Sequence, residues 1–459
     1  MITNKKILDE LVALEATKVC SDFLINGLNY WPAIRIRLAF GLIKRRCQNS
    51  KSRKAYFNKE LLEALKSVES LWLKSKKSKI LFVTHNNYKI TIEGQIYDRV
   101  LEGYKLDCIR SGETYLELNL ATGIITCNNK NTGRIQGCLF ILKVYCFFLT
   151  RLKRKNKHIE SSIGCINRYL SKAFPGFKIT SIEISQYLIY LKLLTKYFTK
   201  LFDKLGVSTI YQATYYDPVG LSINAAASQL NITTYCAQHG GQSRNNPAFG
   251  QWTHLPLEGY EMLPDIFLCW DKESAKAIDE WVFTTKHHKT QIRGYRWPEL
   301  WKEERIKYSG MSNLCRLAAG SFNILYTMQP SVSIHSEMIE KMIKKFPERV
   351  NWWFRLHPRQ SGSQEELDLQ QMYRNSNNIF ILEASLEPLP ALMVNMDLHL
   401  TNFSSCVYEA MLFNVYTIFI HQMGQEYFDE IIQSGKARLC LSHKELENDI
   451  HKMLYDKFA

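Results

Sequence analysis

Proline and glycine are scarce in this chain, which has 12 Pro and 22 Gly among 459 residues. Collagen-like and low-complexity chains are rich in these two residues, so both classes are excluded. Hydrophobic residues make up 46% of the sequence and charged residues 22%, a balance typical of folded globular proteins. At about 100–200 residues per domain, the length predicts two or three domains.

Closely spaced cysteine pairs are lacking. The 12 cysteines are scattered among apolar neighbours, and no two of them form a CxxC pair. Zinc sites and disulfide scaffolds depend on regular spacings, so neither is expected, and the thiols are predicted to be reduced core residues. The cysteines are Cys20, Cys47, Cys108, Cys127, Cys138, Cys146, Cys165, Cys236, Cys269, Cys315, Cys406 and Cys440.

Long uninterrupted apolar runs are missing as well. Acidic residues, including Asp9 and Glu15, interrupt the N-terminus, where a signal peptide needs an apolar stretch. The most apolar segment, residues 137–150, contains Lys143 and is shorter than the roughly 20 residues that a membrane-spanning helix needs. We expect this segment to lie in the membrane interface or to pack as an ordinary core helix, and the protein to be cytoplasmic.

Positive charge is distributed unevenly along the chain, whose net charge is +15. Residues 1–160 contain 29 Lys and Arg against 14 Asp and Glu, whereas residues 161–459 contain 30 of each sign. Enzymes that act on nucleic acids usually spread basic residues along the substrate channel, so a nucleic-acid function is disfavoured. The excess instead predicts a basic surface on an N-terminal domain.

A lysine-rich segment lies at 191–206. Its lysines recur every four residues beside an apolar stripe, which predicts an amphipathic helix capped by Gly206. A solvated lysine face on a core-packed helix and a face that docks on anionic lipid are both consistent with this pattern. The lysines are Lys192, Lys196, Lys200 and Lys204.

Short apolar runs alternate with helical patterns through most of the chain. A continuous apolar run flanked by polar residues, such as KILFVTH at 79–85, is typical of a buried parallel strand. The first set of predicted strands is 79–85, 208–217, 232–241, 265–271 and 290–296, with helices beginning near Gln95 and covering 220–231 and 272–282. The second set is 322–331, 350–359, 378–383, 397–402 and 415–421, with a helix at 404–414 between its last two strands.

This alternation predicts an α/β fold with two Rossmann-like domains, each built on a mostly parallel sheet. The pattern is lost at 298–321, so we predict an N-terminal domain at 1–305 with a basic helical beginning, a hinge at 306–321 and a C-terminal domain at 322–459. Two such domains are expected to face each other across a cleft, which is where ligands usually bind in this architecture.

Polar residues follow three of the strands predicted for the C-terminal domain. Loops at the carboxyl ends of parallel strands face the ligand, so these residues are candidates for binding a nucleotide-linked donor. A helix N-terminus with two serine hydroxyls favours phosphate, although ordinary helix capping explains the same serines. His357 is a candidate phosphate donor, and Glu409 a candidate acceptor for ribose hydroxyls. The candidates are Gln329, Ser331, Arg355, His357, Pro358, Ser404, Ser405 and Glu409.

Several motifs resemble one group of enzymes. RLHPR at 355–359 and TNFSSCVYEAM at 401–411 resemble the HP and SS motifs of bacterial GT-B glycosyltransferases that use CMP-activated acidic sugars, namely sialyltransferases, polysialyltransferases and Kdo transferases. QHGG at 238–241 resembles the QHG element of capsule-polysaccharide and CDP-glycerol-type transferases, and INGLNYWPAIRIRLAF at 25–40 is similar to an opening helix of the same wider group. The resemblance is strongest over residues 208–425.

The resemblance implies a GT-B fold and a division of labour between its domains. The C-terminal domain would bind the nucleotide sugar, with His357 at the donor phosphate or cytosine nucleotide and Ser404 and Ser405 at the phosphate. The N-terminal domain would bind a lipid-linked oligosaccharide acceptor for capsule or lipopolysaccharide. The basic stretches 44–54, 74–79 and 151–157 would then attach the protein to the anionic inner membrane.

A catalytic base is expected in the N-terminal domain. The family's acidic-acidic-Gly motif is matched in half, because Ile92 precedes Glu93 and Gly94. Glu93 is the preferred general base, since an acceptor hydroxyl with a pKa far above 7 must lose its proton as the new bond forms. Asp217 and His239 compete with it, and in a retaining transferase Asp217 becomes the better candidate, as the nucleophile. An Asx turn for Asp217 and a helix-terminus role for Glu93 stay open.

The expected donor requires neither a metal nor a further cofactor. No DxD-type pair stands out, and one leaving phosphate can be neutralised by His357, Arg355 or Arg359 together with a helix dipole. Activity is therefore expected to survive a chelator. Two alternatives stay open: a transferase for another donor, such as CDP-glycerol or a UDP-sugar, and a non-catalytic GT-B-like binding protein.

Overall fold

The computed structural model describes residues 3–17, 19–46, 76–120, 132–152, 157–330 and 336–459. These residues form two compact units, Met1–Trp297 and Pro298–Ala459. Each unit is built around one parallel sheet with helices beside it, so the prediction of an α/β fold with two Rossmann-like units is confirmed.

The first unit contains eight α-helices and eleven strands among the described residues. The helices are α1 (Asn4–Glu15), α2 (Trp31–Arg46), α3 (Glu102–Arg110), α4 (Gln136–Leu152), α5 (Lys157–Ala173), α6 (Ser181–Leu205), α7 (Pro218–Gln229) and α8 (Lys272–Val282). The strands are β1 (Leu24–Ile25), β2 (Leu28–Asn29), β3 (Ile80–Thr84), β4 (Lys89–Ile92), β5 (Gln95–Asp98), β6 (Tyr115–Asn119), β7 (Thr132–Arg134), β8 (Thr209–Gln212), β9 (Thr233–Ala237), β10 (Ile266–Cys269) and β11 (Lys289–Ile292).

The main sheet of the first unit has the order β11-β10-β9-β8-β3-β6-β7, and every pairing in it is parallel. Its first six strands in chain order therefore have the Rossmann arrangement 3-2-1-4-5-6. All five residues of β3 are buried, which accounts for the unbroken apolar run ILFVT. The switch point, where successive strands change from one side of β3 to the other, lies between β3 and β8.

A hairpin replaces the helix that was predicted to begin near Gln95. β4 and β5 pair antiparallel, and the two turn residues between them, Glu93 and Gly94, have φ values of +49° and +79°. Two consecutive positive φ values define the tight turn that suits a two-residue hairpin loop. The helix prediction was wrong because this turn forms within an alternating sequence, KITIEGQIYD, and the helix starts only at Glu102.

Buried charges attach this hairpin to the sheet. Lys89 Nζ lies 2.6 Å from Glu117 Oε1, and Lys105 Nζ lies 2.8 Å from Glu117 Oε2. Burial alone would raise the pKa of Glu117, but Lys105 and Lys89 outweigh it and lower that pKa to about 2. The carboxylate is thus ionised at neutral pH, and it holds the start of β4 against β6.

A second buried ion pair ties the N-terminal helices to a loop of the same unit. Arg35 Nε on α2 lies 2.9 Å from Glu15 Oε1 at the end of α1, and both side chains are fully buried. The guanidinium also donates hydrogen bonds to the carbonyl oxygens of Pro247, Gly250 and Gln251, and its Cζ stands 4.1 Å from the ring centroid of Trp252. The loop that follows the QHGG motif is therefore anchored on α1 and α2.

The second unit contains eight helices and six strands among the described residues, and α9 (Arg296–Lys302) spans the boundary. The helices are α10 (Met311–Ala318), α11 (Glu337–Lys345), α12 (Gln364–Met372), α13 (Leu382–Leu386), α14 (Leu389–Met393), α15 (Cys406–Leu412), α16 (Gln422–Gln433) and α17 (His443–Phe458). The strands are β12 (Phe322–Thr327), β13 (Val350–Arg355), β14 (Ile379–Phe380), β15 (Leu398–Thr401), β16 (Tyr416–Phe419) and β17 (Ala437–Leu439).

The sheet of the second unit has the order β14-β13-β12-β15-β16-β17, again entirely parallel. In chain order this is also the Rossmann arrangement 3-2-1-4-5-6, with its switch point between β12 and β15. The segment 306–321, predicted to be a hinge, contains α10, whose Leu314 and Ala318 are buried in a core cluster with Trp353 of β13. This segment packs as part of the second unit.

The lysine-rich segment is the C-terminal half of α6, and Gly206 caps it in the left-handed conformation with φ +67°. Its four lysines are exposed, while Leu194, Phe198 and Leu201 are buried, so the helix packs on the core with a solvated lysine face.

Six of the ten described cysteines are buried, but Cys165 and Cys315 are exposed and are not core residues.

The apolar segment 137–150 lies within α4. Its Cys146 is buried, and its Leu139 and Leu142 pack against the core cluster that α6 also lines. No helix in the described parts of the chain is both long enough and apolar enough to span a bilayer.

Candidate functional site

The carboxyl ends of three neighbouring strands meet at one edge of the second sheet. Thr327, the last residue of β12, pairs in register with Arg355 of β13 on one side and with Thr401 of β15 on the other. Since adjacent strands lie about 4.8 Å apart, the loops that follow start at the same level and close together. In a Rossmann-ordered sheet this edge is where ligands bind.

His357 comes two residues after the end of β13. Its backbone N–H donates to Gln360 Oε1 at 3.0 Å, and its Nδ1 accepts from the backbone N–H of Arg359 at 3.1 Å. A neutral imidazole that accepts at Nδ1 carries its proton on Nε2. Burial, together with the positive charge of Arg359, lowers the pKa of His357, so the ring is neutral at pH 7. Its Nε2–H is thereby a donor suited to a phosphate oxygen.

The residues beside His357 have different roles in the fold. Arg355 donates from Nη1 to the carbonyl oxygens of Ala384 and Glu387, at 2.5 and 2.7 Å, and so fixes the chain around α13 to the end of β13. Pro358 and Arg359 are exposed. Donor binding by Arg355 and Pro358 stays a prediction, and the contacts of Arg355 give it a structural function as well.

The loop after β15 contains the two predicted serines. Ser404 is buried: its N–H donates to Thr401 Oγ1 at 3.1 Å, and its Oγ accepts from the N–H of Cys406 at 3.2 Å. Ser405 is partly buried, and its hydroxyl makes no capping hydrogen bond to the helix that follows. Glu409 is buried on that helix, α15. The hydroxyl of Ser404 is therefore engaged in holding the loop.

On the other side of the switch point, Gln329 follows β12 and is partly buried. Ser331, the remaining predicted donor-binding residue, lies outside the described residues. The structure thus brings the loops of Gln329, His357 and Ser404 to one edge of one sheet, as the sequence predicted from the strand pattern.

A buried histidine beneath this edge was missed from the sequence. His399 in β15 lies between two hydroxyls, with Nε2 2.9 Å from Thr327 Oγ1 and Nδ1 2.9 Å from Thr417 Oγ1. Burial lowers its pKa to about 3, so it is neutral, and its two hydrogen bonds join the three neighbouring strands β12, β15 and β16. The feature of the sequence that could have identified His399 is its position as a polar residue in the middle of the buried run DLHLT.

The first unit has a second polar cluster at its own switch point. His85 directly follows β3, Asp217 ends the loop after β8, and His239 follows β9. Tyr216 Oη lies 2.9 Å from His239 Nε2, and the two rings stack with centroids 5.8 Å apart. The ring centroid of Tyr88 also lies 5.2 Å from that of His239. Two tyrosine rings therefore contact the imidazole of His239.

The environment of this cluster keeps both histidines neutral. Burial lowers the pKa of His239 to about 4, against the opposite effect of the carbonyl groups of Ala237 and Ala213. Burial likewise lowers the pKa of His85, against the opposite effect of Asp217. Nε2 of His239 faces the Tyr216 hydroxyl, whereas Nδ1 is buried with no hydrogen-bond partner among the described residues. The cluster therefore offers an imidazole lone pair at neutral pH.

Asp217 is the N-cap of α7. Its Oδ1 accepts from the backbone N–H of Gly220 at 2.7 Å, which agrees with the local-turn interpretation of this residue. Burial raises its pKa, and the Gly220 hydrogen bond and His85 oppose that rise. Gly220 has no room for a side chain, because a Cβ there would stand 2.4 Å from the carbonyl oxygen of Thr214. The cap position of Asp217 is thus fixed by close packing.

The neighbouring residues of the QHGG motif are structural. The buried side chain of Gln238 donates from Nε2 to the Gly240 carbonyl at 3.0 Å and to Ser274 Oγ at 3.1 Å, and its Oε1 accepts from the N–H of Trp270. These bonds fix the loop after β9 to the end of β10 and to α8. Gln238 therefore positions His239.

Glu93, the base preferred from the sequence, is exposed at the turn of the β4–β5 hairpin. Its catalytic function stays a prediction, whereas the helix-terminus interpretation is wrong because no helix begins there. His85 and Tyr88 were missed from the sequence, because their proximity to His239 depends on β3, β8 and β9 being neighbours. Across the described ranges, no three side chains of the His, Cys, Asp and Glu types are grouped as metal ligands.

No family model matches the chain, and no curated protein matches its sequence. Similar solved structures include the UDP-GlcNAc 2-epimerase of Methanocaldococcus jannaschii in complex with UDP-GlcNAc and UDP, with 14% identity, 82% of this chain and 92% of that chain covered, and a TM-score of 0.46. The S. aureus MnaA–UDP structure is 10% identical, with 83% of this chain and 88% of that chain covered and a TM-score of 0.46. The wall teichoic acid polymerase TagF is 10% identical, with 93% of this chain and 90% of that chain covered and a TM-score of 0.43. At these scores the likeness carries no argument about function.

Proposed function

We propose that the chain is a glycosyltransferase that moves an acidic sugar from a CMP-activated donor to a lipid-linked, capsule or lipopolysaccharide oligosaccharide. The observation that carries this proposal is the neutral His357, whose Nε2–H is available at the carboxyl end of β13, beside the switch point of the second sheet. The resemblance of RLHPR and TNFSSCVYEAM to the HP and SS motifs supports the choice of donor.

Donor binding in this proposal depends on the second unit. The Nε2–H of His357 donates to a phosphate oxygen of the CMP-sugar, and the Ser405 hydroxyl, which is not used as a helix cap, donates a second bond. As the bond between the anomeric carbon and the phosphate oxygen breaks, negative charge grows on the leaving CMP. Both hydrogen bonds then strengthen and lower the barrier.

Proton removal depends on the first unit, and His239 is the base in this proposal. The acceptor hydroxyl takes the place of the Tyr216 hydroxyl at Nε2, attacks the anomeric carbon and passes its proton to the imidazole. His239 is favoured over Glu93 because its Nε2 faces a hydroxyl group, and over Asp217 because that carboxylate already caps α7. In a retaining reaction Asp217 would instead attack the anomeric carbon as the nucleophile.

Turnover across donor classes tests the function. CMP-sialic acid and CMP-Kdo are expected to be consumed with release of CMP, whereas CDP-glycerol and UDP-GlcNAc are expected to be stable. Turnover of only CDP-glycerol or only the UDP-sugar would contradict the choice of donor in favour of the alternative transferases. Binding without turnover of any donor would leave the non-catalytic alternative. The same assay with a chelator tests the expected metal independence.

The His357→Ala variant is expected to bind CMP about 10–100-fold more weakly, since a hydrogen bond to a charged group contributes about 1.5–3 kcal/mol. Isothermal titration of CMP measures the effect. His421 is a matched control, because it follows β16 and accepts at Nδ1 from the N–H of Met423, two residues on, as His357 does from Arg359. His421→Ala is expected to bind CMP normally, and equal losses in both variants would contradict the specific role of His357.

The proposed acceptor places the protein at the cytoplasmic face of the inner membrane. The excess of positive charge lies entirely in residues 1–160, outside the unit proposed to bind the donor. Near an anionic bilayer each Lys or Arg contributes on the order of 1 kcal/mol, so a few such residues suffice for peripheral attachment.

A further inference from the structure

Helix α4 has an apolar face that the core does not use. Cys146 is buried, and Leu139 and Leu142 pack on the core, so one side of the helix faces α6. On the opposite side lies a stripe that is 65% exposed at Ile141 and 56% exposed at Phe148. We call this the α4 stripe, and it consists of the exposed residues Ile141, Val144, Tyr145 and Phe148, at helical spacings of three and four, with Phe147 at its margin.

Such a stripe is unusual for a soluble surface. Single exposed apolar side chains are common, but five large ones within eight residues form a contiguous patch, and patches of that kind mark interaction sites. The stripe stays exposed although the helix itself is well anchored: Cys146 Sγ lies 3.3 Å from the carbonyl oxygen of Gln186 on α6. The helix thus holds its apolar side chains outward on a fixed base.

A cavity of about 310 Å³ opens beside the stripe. It lies among α2, α4 and α6, and both basic and aromatic groups line it, including Arg37, Lys143, Phe147 and Tyr187. The Arg37 guanidinium stands 4.7 Å from the ring centroid of Tyr187. The one acidic group in its lining, Glu183, belongs to the capping box of α6 and accepts from Thr180. The cavity therefore suits a group with a negative charge and an apolar attachment.

We propose that the α4 stripe docks the first unit on an anionic bilayer, with α4 lying in the headgroup region and a lipid phosphate entering the cavity between Arg37 and Lys143. The inference rests on the membrane attachment in the proposed function and names the surface that makes it. Amphipathic interfacial helices bury their apolar face by about 5–10 Å, which the length of these side chains allows.

Charge favours a lipid surface over other occupants. Lys143 and Arg151 are exposed on the same helix, and the sequence continues from Arg151 as RLKRKNK. A second copy of this chain packed stripe to stripe would bring the same positive charges together, which opposes such a dimer. An anionic bilayer supplies both the apolar layer and the opposite charge.

Vesicle flotation tests the proposal without any nucleotide. The unmodified chain is expected to float with phosphatidylglycerol-containing vesicles, to bind phosphatidylcholine vesicles weakly, and to dissociate at high salt. Ile141→Glu/Phe148→Glu is expected to lower binding at least about tenfold, as expected for charges placed in an apolar contact. Phe283→Glu is the matched control, because Phe283 is 77% exposed in the same unit and away from α4 in sequence, and it is expected to bind normally.

Other outcomes would overturn the docking surface. Equal flotation of the double variant and the unmodified chain would do so, as would the absence of any vesicle binding. If residues 47–75 of this chain cover the stripe, the double variant loses thermal stability with no change in flotation. If a second copy covers it, the variant becomes monomeric with no change in flotation. CMP binding measured without vesicles separates these failures from failure of the proposed enzyme.

Discussion

Turnover by a His239→Ala variant is expected to fall about 10²–10⁴-fold, the usual contribution of a general base, while CMP binding stays unchanged. The reason is that Nε2 of the imidazole lies 2.9 Å from the Tyr216 hydroxyl, where an acceptor hydroxyl would bind, and that the ring is neutral and can take up a proton. Measuring kcat and the Kd of CMP for the variant shows whether turnover falls without a loss of CMP binding. A loss of CMP affinity equal to the loss of turnover would contradict a role in proton transfer.

The pH profile gives the same prediction an independent test. A base must be unprotonated to act, so kcat/KM falls as the pH drops through the pKa of that group. Because burial lowers the pKa of His239 to about 4, activity is expected to persist from neutral pH down to about pH 5 and then to decline. A decline centred near pH 6.5, the ordinary histidine value, would contradict this assignment.

Two conservative variants test the assignment of His239 as the base. Glu93→Gln removes the carboxylate at the hairpin turn, where the side chain is exposed, and is expected to leave turnover nearly intact if His239 is the base. Tyr216→Phe removes the hydroxyl and retains the ring, and is expected to alter kcat less than His239→Ala does. If Glu93→Gln abolishes turnover and His239→Ala does not, Glu93 is the base, as its acidic-Gly motif first suggested.

The Arg35→Met variant is expected to lower the free energy of unfolding of the first unit by about 3–5 kcal/mol, the usual effect of removing one partner from a buried ion pair. Glu15 would then be fully buried without its cationic partner, retaining among the described residues the N–H and hydroxyl donors of Trp31 and Thr253. Urea unfolding measures the change.

An exposed ion pair supplies the control. Lys286 and Glu258 lie 3.2 Å apart with both side chains more than half exposed, so Lys286→Met is expected to cost less than about 1 kcal/mol. The double variant Glu15→Gln/Arg35→Met is expected to be less destabilised than the sum of the single variants, because it leaves no uncompensated charge. Strict additivity would mean that the two groups do not act as a pair.

The sheets could be predicted from sequence wherever a strand is buried on both faces. The runs ILFVT in β3 and IFLC in β10 are continuously apolar for that reason, and both lie where the alternation placed strands. β6 was missed because its sequence YLELN carries Glu117, an acid that is tolerated in the core only beside Lys89 and Lys105. Those partners come from other elements, and a local pattern does not contain them.

The candidate sites were predictable to a similar degree. The rule that ligands meet the carboxyl ends of strands led directly to His357 and Ser404, since each follows a strand that the pattern already marked. The grouping of His85 with His239 required the strand order, because 154 positions separate the two residues in the sequence. The structural function of Arg355 could not be predicted from the sequence, because its contacts with two carbonyl groups follow only from the fold.

The order of strands in the first sheet also affects how the protein is made. β3 is an interior strand, but its neighbour β8 follows only after a long interval: Ser208 donates to the carbonyl of Lys79, 129 residues earlier. At about 5–20 residues per second, translation leaves the apolar β3 without this partner for roughly 6–26 s. Nascent chains that end before β8 are therefore expected to need chaperones, and slow synthesis at low temperature is expected to give more soluble protein than rapid expression.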